Sequence, residues 1–139
     1  MSAKLLSRHH LAVRWTDLDA YAHVNNSIYF AYMTEVRGQY FSEIMRHDDH
    51  HQFILVDVHC NYQKPIFYPS KLYIEQSLLK TGRASFDLSY TFYNHMEPDV
   101  ILATAEAKMV CIDNDLGKAV AIPAVVLKLF SEEVKDYIS

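Results

Sequence analysis

The sequence is poor in the residues that bend or cross-link a chain. It contains three glycines, four prolines and two cysteines among 139 residues. Cys60 and Cys111 lie in apolar, strand-like runs without the CxxC or Cys/His spacing of a zinc site, so we expect free thiols and no disulfide or metal. Because there is also no repeat, no low-complexity tract and no linker, residues 1–139 are expected to form a single domain.

The sequence also lacks long apolar runs and concentrated positive charge. No stretch approaches the ~18–20 uninterrupted apolar residues of a membrane span. The first ten residues have no apolar run after their positive charges, so we expect no signal peptide and a cytoplasmic protein. Lysine and arginine are scattered and the formal net charge is -4, which argues against nucleic acid as the main partner.

What is present is a regular alternation of secondary-structure signals. Apolar residues recur at helical spacing over residues 27–46 with no proline inside, which predicts one long helix, and the width of the apolar stripe predicts that other structure covers it. Asn26 or Ser27 is a suitable N-cap. Strands are predicted at residues 10–15, 53–62, 71–79, 85–93 and 100–112, and Pro123 suits the start of a final amphipathic helix that runs through Tyr137.

Two of the predicted strands carry informative side-chain patterns. Residues 85–93 alternate strictly between apolar and polar, and residues 100–112 place Ala103, Ala105 and Ala107 on one face, where small side chains let a helix approach closely. The element order is strand, long helix, four strands in hairpin succession and a short helix. Hairpin succession predicts an antiparallel sheet, and one apolar helix on such a sheet is an α+β architecture.

The segment that carries chemistry lies directly before the long helix. Residues 14–29 contain two carboxylates, a histidine and two asparagines, namely Asp17, Asp19, His23, Asn25 and Asn26. A helix N-terminus offers unpaired N–H groups and a positive dipole end, which suit a carbonyl oxygen that is acquiring negative charge. A nearby carboxylate can attack that carbonyl or activate a water, and thioesters suit this arrangement because the thiolate leaves without a strong acid.

These residues resemble a known family. The pattern Arg14-x-x-Asp17-x-Asp19-x-x-x-His23-Val24-Asn25-Asn26-x-x-Tyr29 is similar to that of the 4-hydroxybenzoyl-CoA thioesterase-like hotdog proteins, including the acyl-CoA thioesterases associated with bacterial Tol–Pal clusters. The resemblance covers essentially the whole chain. It implies a hotdog fold, in which a five-stranded antiparallel sheet wraps one central helix with a C-terminal helix added. It also implies a homodimer or homotetramer with active sites at the subunit interface.

Carried over by position, the resemblance implies that Asp19 is the catalytic carboxylate, either as nucleophile or as general base. The substrate is then an acyl-CoA or acyl-carrier-protein thioester, and no metal or cofactor is implied. The family position three after this aspartate is usually glycine and here is Ala22, which would be strained if the backbone there has a positive φ. The expected substrate-contacting residues are His23, Asn25, Asn26 and Tyr29 in the loop and helix, and Arg83 and Ser85 in the turn that resembles the family's fourth-strand entry.

Simpler interpretations stand beside each of these. Asp17 suits a bracing role through backbone N–H groups, and Asp19 could be only a cap near the helix. Glu35, on the helix, is the alternative catalytic carboxylate. The cluster His47, Asp48, Asp49, His50 and His51 is the most metal-like, but a polar loop after a helix is the ordinary explanation. At the level of function, the alternatives are a non-catalytic acyl- or acyl-carrier-binding module and, with less support, a hotdog dehydratase.

Overall fold

The structure is a computed structural model that describes residues 3–138. The elements in chain order are β1 (Lys4–Ala12), a short 3-10 helix (Trp15–Asp17), α1 (Asn26–His47), β2 (His51–Tyr62), β3 (Lys71–Thr81), β4 (Ser85–Asn94), β5 (Glu97–Asp113), β6 (Lys118–Ala119), α2 (Ala124–Ser131) and β7 (Lys135–Ile138). The long helix is confirmed to within a residue at each end. The first strand was predicted too late in the chain, because β1 begins at Lys4 and ends at Ala12, whereas the prediction was residues 10–15.

The strands form one sheet in the order β2-β5-β4-β3-β1-β7, with β6 beside β5. The hairpins β3–β4 and β4–β5 are confirmed, but β2 does not pair with β3. It pairs with β5 instead, so residues 63–70 cross over and carry the chain to the far side, where β3 lies beside β1. The prediction of four strands in hairpin succession is therefore wrong at its first connection.

The C-terminal residues differ from the prediction. The final helix ends at Ser131, and Lys135–Ile138 then runs parallel to β1. The open edge of β1 offers backbone hydrogen bonds that a continued helix would leave unused. In addition, the ring of Tyr137 stacks on His9 with their centroids 4.5 Å apart. The short strands β6 and β7 raise the strand count from the expected five to seven.

The core lies between α1 and the face of the sheet that curves around it. Phe86, Leu88, Tyr90 and Phe92 of β4 are all buried, which confirms the predicted alternation, and the three alanines of β5 are buried with them. Phe41 of α1 packs with its ring centroid 5.8 Å from that of Phe86. Each such side chain stabilises the fold by about 1.5–3 kcal/mol relative to exposure.

A buried polar network fixes β1 against α1. The Nδ1 atom of His9 lies 2.6 Å from the side-chain oxygen of Gln39, which can only accept, so Nδ1 carries the proton. Nε2 of His9 then accepts from the hydroxyl of Ser7 at 2.8 Å. Burial lowers the pKa of His9, which keeps this tautomer neutral. Among the described residues no buried side-chain polar atom lacks a partner, so these core polar groups serve structure.

Candidate active site

The loop before α1 folds back on itself at Asp19. The amide of Asp19 donates to the carbonyl of His23 at 2.8 Å, and the amide of Ala22 donates to the carbonyl of Asp19 at 3.1 Å. The side-chain Oδ1 of Asp19 accepts from the amides of Tyr21 at 2.8 Å and His23 at 3.3 Å. Within residues 3–138, Oδ2 of Asp19 makes no hydrogen bond. The carboxylate is therefore held by one oxygen and free at the other.

This tight turn requires a left-handed backbone at Ala22. Its φ is +62°, the one positive φ at a non-glycine residue in the described part of the chain. An L-residue in this conformation costs roughly 1–2 kcal/mol, because its Cβ crowds the following carbonyl oxygen. The strain expected from alanine at the family's glycine position is thus present, and it lies within the turn that orients Asp19.

Asp17, two residues earlier, has a different environment. Its side chain is 1% exposed. Oδ2 accepts from the Arg14 amide at 2.9 Å and from the Tyr32 hydroxyl at 2.6 Å, while Oδ1 accepts from the Arg14 guanidinium at 3.0 Å. Burial raises the pKa of Asp17, but the Tyr32 hydroxyl and the Arg14 groups outweigh it, so the net pKa is lowered. Asp17 is a fully bonded brace that joins the loop to α1, which agrees with its simpler interpretation.

A cavity of about 250 Å³ opens on Asp19. The structure brings four of the predicted site residues to this cavity and adds five others from two segments; its lining is Asp19, His23, Val24, Asn26, Tyr29, Tyr62, Gln63, Lys64 and Pro65. Burial raises the pKa of Tyr29 to about 12, so its phenol stays protonated and able to donate. The hydroxyl of Tyr62 donates to the carbonyl of Asn26 at 3.0 Å and ties the end of β2 to the start of the helix.

The first turn of α1 has one amide without a hydrogen-bond partner beside this site. Asn25, and not Asn26 or Ser27, is the N-cap: its side chain accepts from the amide of Ser27 at 2.9 Å. The backbone carbonyl of Asn25 accepts from the amide of Ile28 at 2.9 Å. Among the hydrogen bonds of the described residues, none uses the amide of Asn26, which lines the Asp19 cavity. That N–H, at the positive end of a 22-residue helix, is the available donor for a developing oxyanion.

Asn25 therefore caps the helix and does not line the cavity, and Arg83 and Ser85 lie elsewhere in the chain. Ser85 pairs with Val110 of β5, whereas Tyr62 beside the cavity pairs with Ala103. Seven residues of strand separate these two levels, or about 23 Å at ~3.3 Å per residue. Within one chain, the Arg83 turn and Asp19 are thus at opposite ends of the sheet.

Tyr62, Gln63 and Lys64 were missed by the sequence reasoning. They follow β2, and only the register of β2 against β5 together with the start of the crossover brings them to the loop. The bond from Tyr62 to the helix start has no local sequence signal. The predicted end of this strand at Tyr62 is correct, but the position of that end beside the loop is set by the tertiary structure.

The other candidate groups stay outside this cavity. Glu35 is exposed on α1. The histidines after α1 form separate pairs, with His51 2.8 Å from Asp48 and His47 3.6 Å from Glu43. They border a cavity of about 560 Å³ against the start of α2. In residues 3–138 no group of three or more His, Cys, Asp or Glu side chains is arranged to hold a metal ion.

Comparison with known proteins shows the family of this chain. The model of the thioesterase-like superfamily matches residues 13–130. The chain belongs to the thioesterase-like superfamily. The long-chain acyl-CoA thioesterase FadM of Escherichia coli (strain K12), a relative by sequence, is 30% identical over 129 residues, which are 90% of this chain and 97% of FadM.

Solved structures of superfamily members share the fold. A 1,4-dihydroxy-2-naphthoyl-CoA thioesterase from Synechocystis superimposes with a TM-score of 0.80 at 15% identity, covering 90% of this chain and 95% of its own. A DHNA-CoA thioesterase from Staphylococcus aureus gives 0.79 at 18% identity, covering 93% and 97%. The predicted α+β hotdog fold is confirmed, with the two additional short strands described above. Neither helix in the described residues is long and apolar enough to cross a membrane.

Proposed function

We propose that the protein hydrolyses acyl-CoA thioesters to a carboxylic acid and CoA, with Asp19 as the catalytic carboxylate. The observation that carries this proposal is the pairing of a carboxylate oxygen without a partner with the unbonded amide of Asn26 on the same cavity. Nucleophilic attack needs a negative oxygen on one side of a carbonyl and a hydrogen-bond donor at the oxygen that becomes charged. The name of the FadM relative, an acyl-CoA thioesterase, supports the same reaction class.

Two routes are compatible with this site. In the first, Oδ2 of Asp19 attacks the thioester carbon, CoA leaves as a thiolate, and water then hydrolyses the acyl–aspartyl anhydride. In the second, Asp19 takes a proton from a water that attacks the same carbon, and the thiolate leaves in the breakdown of the tetrahedral intermediate. In both routes the Asn26 amide donates to the carbonyl oxygen, and the bonds from Tyr21 and His23 to Oδ1 aim the other oxygen at the substrate.

The exposed edge of the sheet at β2 supports the further proposal that the working unit is a homo-oligomer. β2 is an edge strand of 12 residues, and it exposes Ile54, Leu55 and Val56. A long apolar edge favours pairing with a second chain. If two β2 strands pair antiparallel about a two-fold axis, the end of β2 at Tyr62 meets the partner end at which the Arg83 turn lies. Arg83 and Ser85 would then contact the CoA of the other chain's site, with Arg83 on a phosphate.

Sedimentation tests this assembly directly. At micromolar concentration the protein is expected to sediment as a dimer or tetramer, because a monomer would leave the β2 edge without cover. A stable monomer at that concentration would contradict the interfacial site and remove Arg83 and Ser85 from it.

Thiol release from a panel of acyl-CoAs tests the reaction. The panel covers short, long and aromatic acyl groups, and acyl-carrier-protein thioesters are assayed beside it. We expect turnover with at least one acyl-CoA. Tight binding of acyl-CoAs without thiol release would instead favour a non-catalytic acyl-binding module, and hydration or dehydration of an acyl group without release would favour a dehydratase.

A further inference from the structure

Two further cavities lie next to the Asp19 cavity along the crossover of residues 63–70. The middle cavity, of about 230 Å³, shares Lys64 and Pro65 with the Asp19 cavity. The far cavity, of about 490 Å³, shares Ser70, Asn94 and Glu97 with the middle one. Because neighbouring cavities share lining residues, the three lie in a row, here named the crossover trough, from the carboxylate of Asp19 to the β4–β5 turn.

The trough is physically joined to the loop that carries Asp19. The amide of Val24 donates to the carbonyl of Ile66 at 2.8 Å, so the loop and the crossover are hydrogen-bonded side by side. The ring of His23 meets that of Phe67 edge-on, with centroids 5.0 Å apart. The crossover that lines the trough therefore lies directly beside the Asp19 loop.

The walls become more apolar with distance from Asp19. Near the carboxylate they carry His23, Asn26 and Lys64, whereas the far part is formed by Val13, Tyr68, Pro69 and Met96 among others. Tyr68 and Met96 are 46% and 85% exposed. Apolar side chains of this size gathered along one concave surface mark a binding groove for an apolar molecule.

We propose that the crossover trough binds the acyl chain of the substrate, and that the protein selects long, flexible, apolar acyl groups. This inference rests on the proposed function, since it places the thioester carbonyl at Asp19 and the chain beyond it. The other part of the substrate that could fill the trough is the pantetheine arm. It ends in phosphates, which need a cluster of cations, but Lys71 at the far end is accompanied by the carboxylate of Glu97.

Chain-length dependence is the measurable consequence. For the saturated series from butyryl-CoA to palmitoyl-CoA, kcat/KM is expected to rise with length, by up to about fourfold for each methylene that the trough buries. A flat profile over this series would overturn the proposal.

Substitutions at Glu97 test whether the chain-length dependence arises in the crossover trough. Glu97 is exposed and borders both the middle and the far cavity. Glu97→Trp should obstruct their junction and lower kcat/KM for palmitoyl-CoA at least tenfold, with butyryl-CoA unchanged. Glu97→Leu should act in the opposite direction and strengthen the preference for palmitoyl-CoA. Glu106→Trp is the matched control, because Glu106 is an exposed glutamate of the same strand that borders none of the three cavities.

Binding measured without turnover separates this proposal from the proposed function. The probes are S-hexadecyl-CoA and S-butyl-CoA, thioethers that cannot be hydrolysed, titrated calorimetrically into wild type and Glu97→Trp. A preference for the hexadecyl probe that the tryptophan abolishes supports the trough even if no thioester is hydrolysed. If Glu97→Trp bound both probes equally more weakly than wild type, the trough would hold the pantetheine arm. If it bound both as tightly as wild type, the acyl chain would lie elsewhere. Either result overturns the proposal.

Discussion

The turn at Arg14–Asp17 and the turn at Asp19–His23 use the same residue type in opposite ways. Asp17 is buried and both its oxygens are occupied by Arg14 and Tyr32. Asp19 is half-buried, and both its described hydrogen bonds go to one oxygen. A carboxylate that is fully bonded stabilises a structure, whereas one that is held at one oxygen and open at the other can react. Two aspartates only two residues apart therefore differ in whether a carboxylate oxygen is free to react.

The cavities at the two ends of α1 also differ in their polar groups. The larger cavity, about 560 Å³, lies at the C-terminal end among the paired histidines. The cavity at Asp19 is less than half that size. The smaller cavity nevertheless has the open carboxylate, the helix N-terminus and the phenol of Tyr29, so we propose it as the active site from the arrangement of its polar groups and not from its volume.

Of the substitutions that compare the two aspartates, Asp19→Asn is expected to have the largest effect. Asparagine keeps the size and can still accept from the amides of Tyr21 and His23, so the turn should survive. It cannot supply the negative charge that either route requires, and kcat should fall by at least about a hundredfold. Steady-state thiol release on the best acyl-CoA measures kcat, and thermal unfolding should show a near-normal Tm.

Wild-type kcat in Asp19→Asn would end the assignment of Asp19. Glu35 on α1 would then be the next carboxylate to substitute, although in this structure it is exposed and outside the cavity.

Asp17→Asn should have the converse effect, with stability lost more than turnover. The amide cannot accept from all the donors that now surround the carboxylate, and the pair with Arg14 loses its charge. Leaving a buried donor without its partner costs about 1–3 kcal/mol of unfolding free energy. Urea unfolding gives this quantity, and a variant as stable as wild type but with kcat reduced as far as in Asp19→Asn would reverse the roles of the two residues.

The stability of the protein at low pH gives a further test of Asp17, because the pKa of Asp17 is lowered in the folded state. Such a group stabilises the fold above its unfolded pKa, and this stabilisation is lost as the pH falls through the folded value. Below about pH 4, the ordinary value for aspartate, wild type should therefore lose stability more steeply than Asp17→Asn. Urea unfolding of both proteins between neutral pH and pH 3 measures the difference, and every other carboxyl group is common to both. Parallel curves would show that Asp17 is not selectively stabilised as an anion.

The smallest effect concerns the strain at Ala22. Glycine accepts a φ of +62° without the Cβ clash but has more conformational freedom to lose, so Ala22→Gly should raise the unfolding free energy by about 0.5–1 kcal/mol. Ala20→Gly in the same loop is the control and should destabilise slightly, since Ala20 has no positive φ. If both variants were destabilised alike, the turn around Asp19 would not have the left-handed backbone described here.

Much of the site was predictable because it is local. Asp19, His23 and Asn26 lie within eight consecutive positions, and the signal for the helix start is adjacent, so one stretch of sequence contains the polar groups of the proposed site. The N-cap was predicted at Asn26 or Ser27 and lies at Asn25, because the side chain of Asn25 accepts from the amide of Ser27. Tyr62 was not predicted, since no local pattern indicates where the end of a distant strand will pack.

The fold shows the same division. The alternation along β4 and the helical spacing of α1 are properties of short segments, and both were correctly predicted. The tail was not, because Val134 and Tyr137 continue the helical spacing of the preceding residues, although Tyr137 lies in β7. The choice between helix and strand was made by the free edge of β1 and the ring of His9, which are remote in sequence.

By itself, then, the sequence determined α1, the strands β2 to β5 and the place of Asp19 in the loop before the helix, because periodicity and turn chemistry act over a few residues. Tertiary structure decided that β2 pairs with β5, and hence that residues 63–70 cross over beside the loop. That pairing brings Tyr62 and Lys64 to Asp19 and moves the Arg83 turn to the opposite end of the sheet. The physical reason is that strand register is set by the burial of a whole face against α1, a condition that no single segment contains.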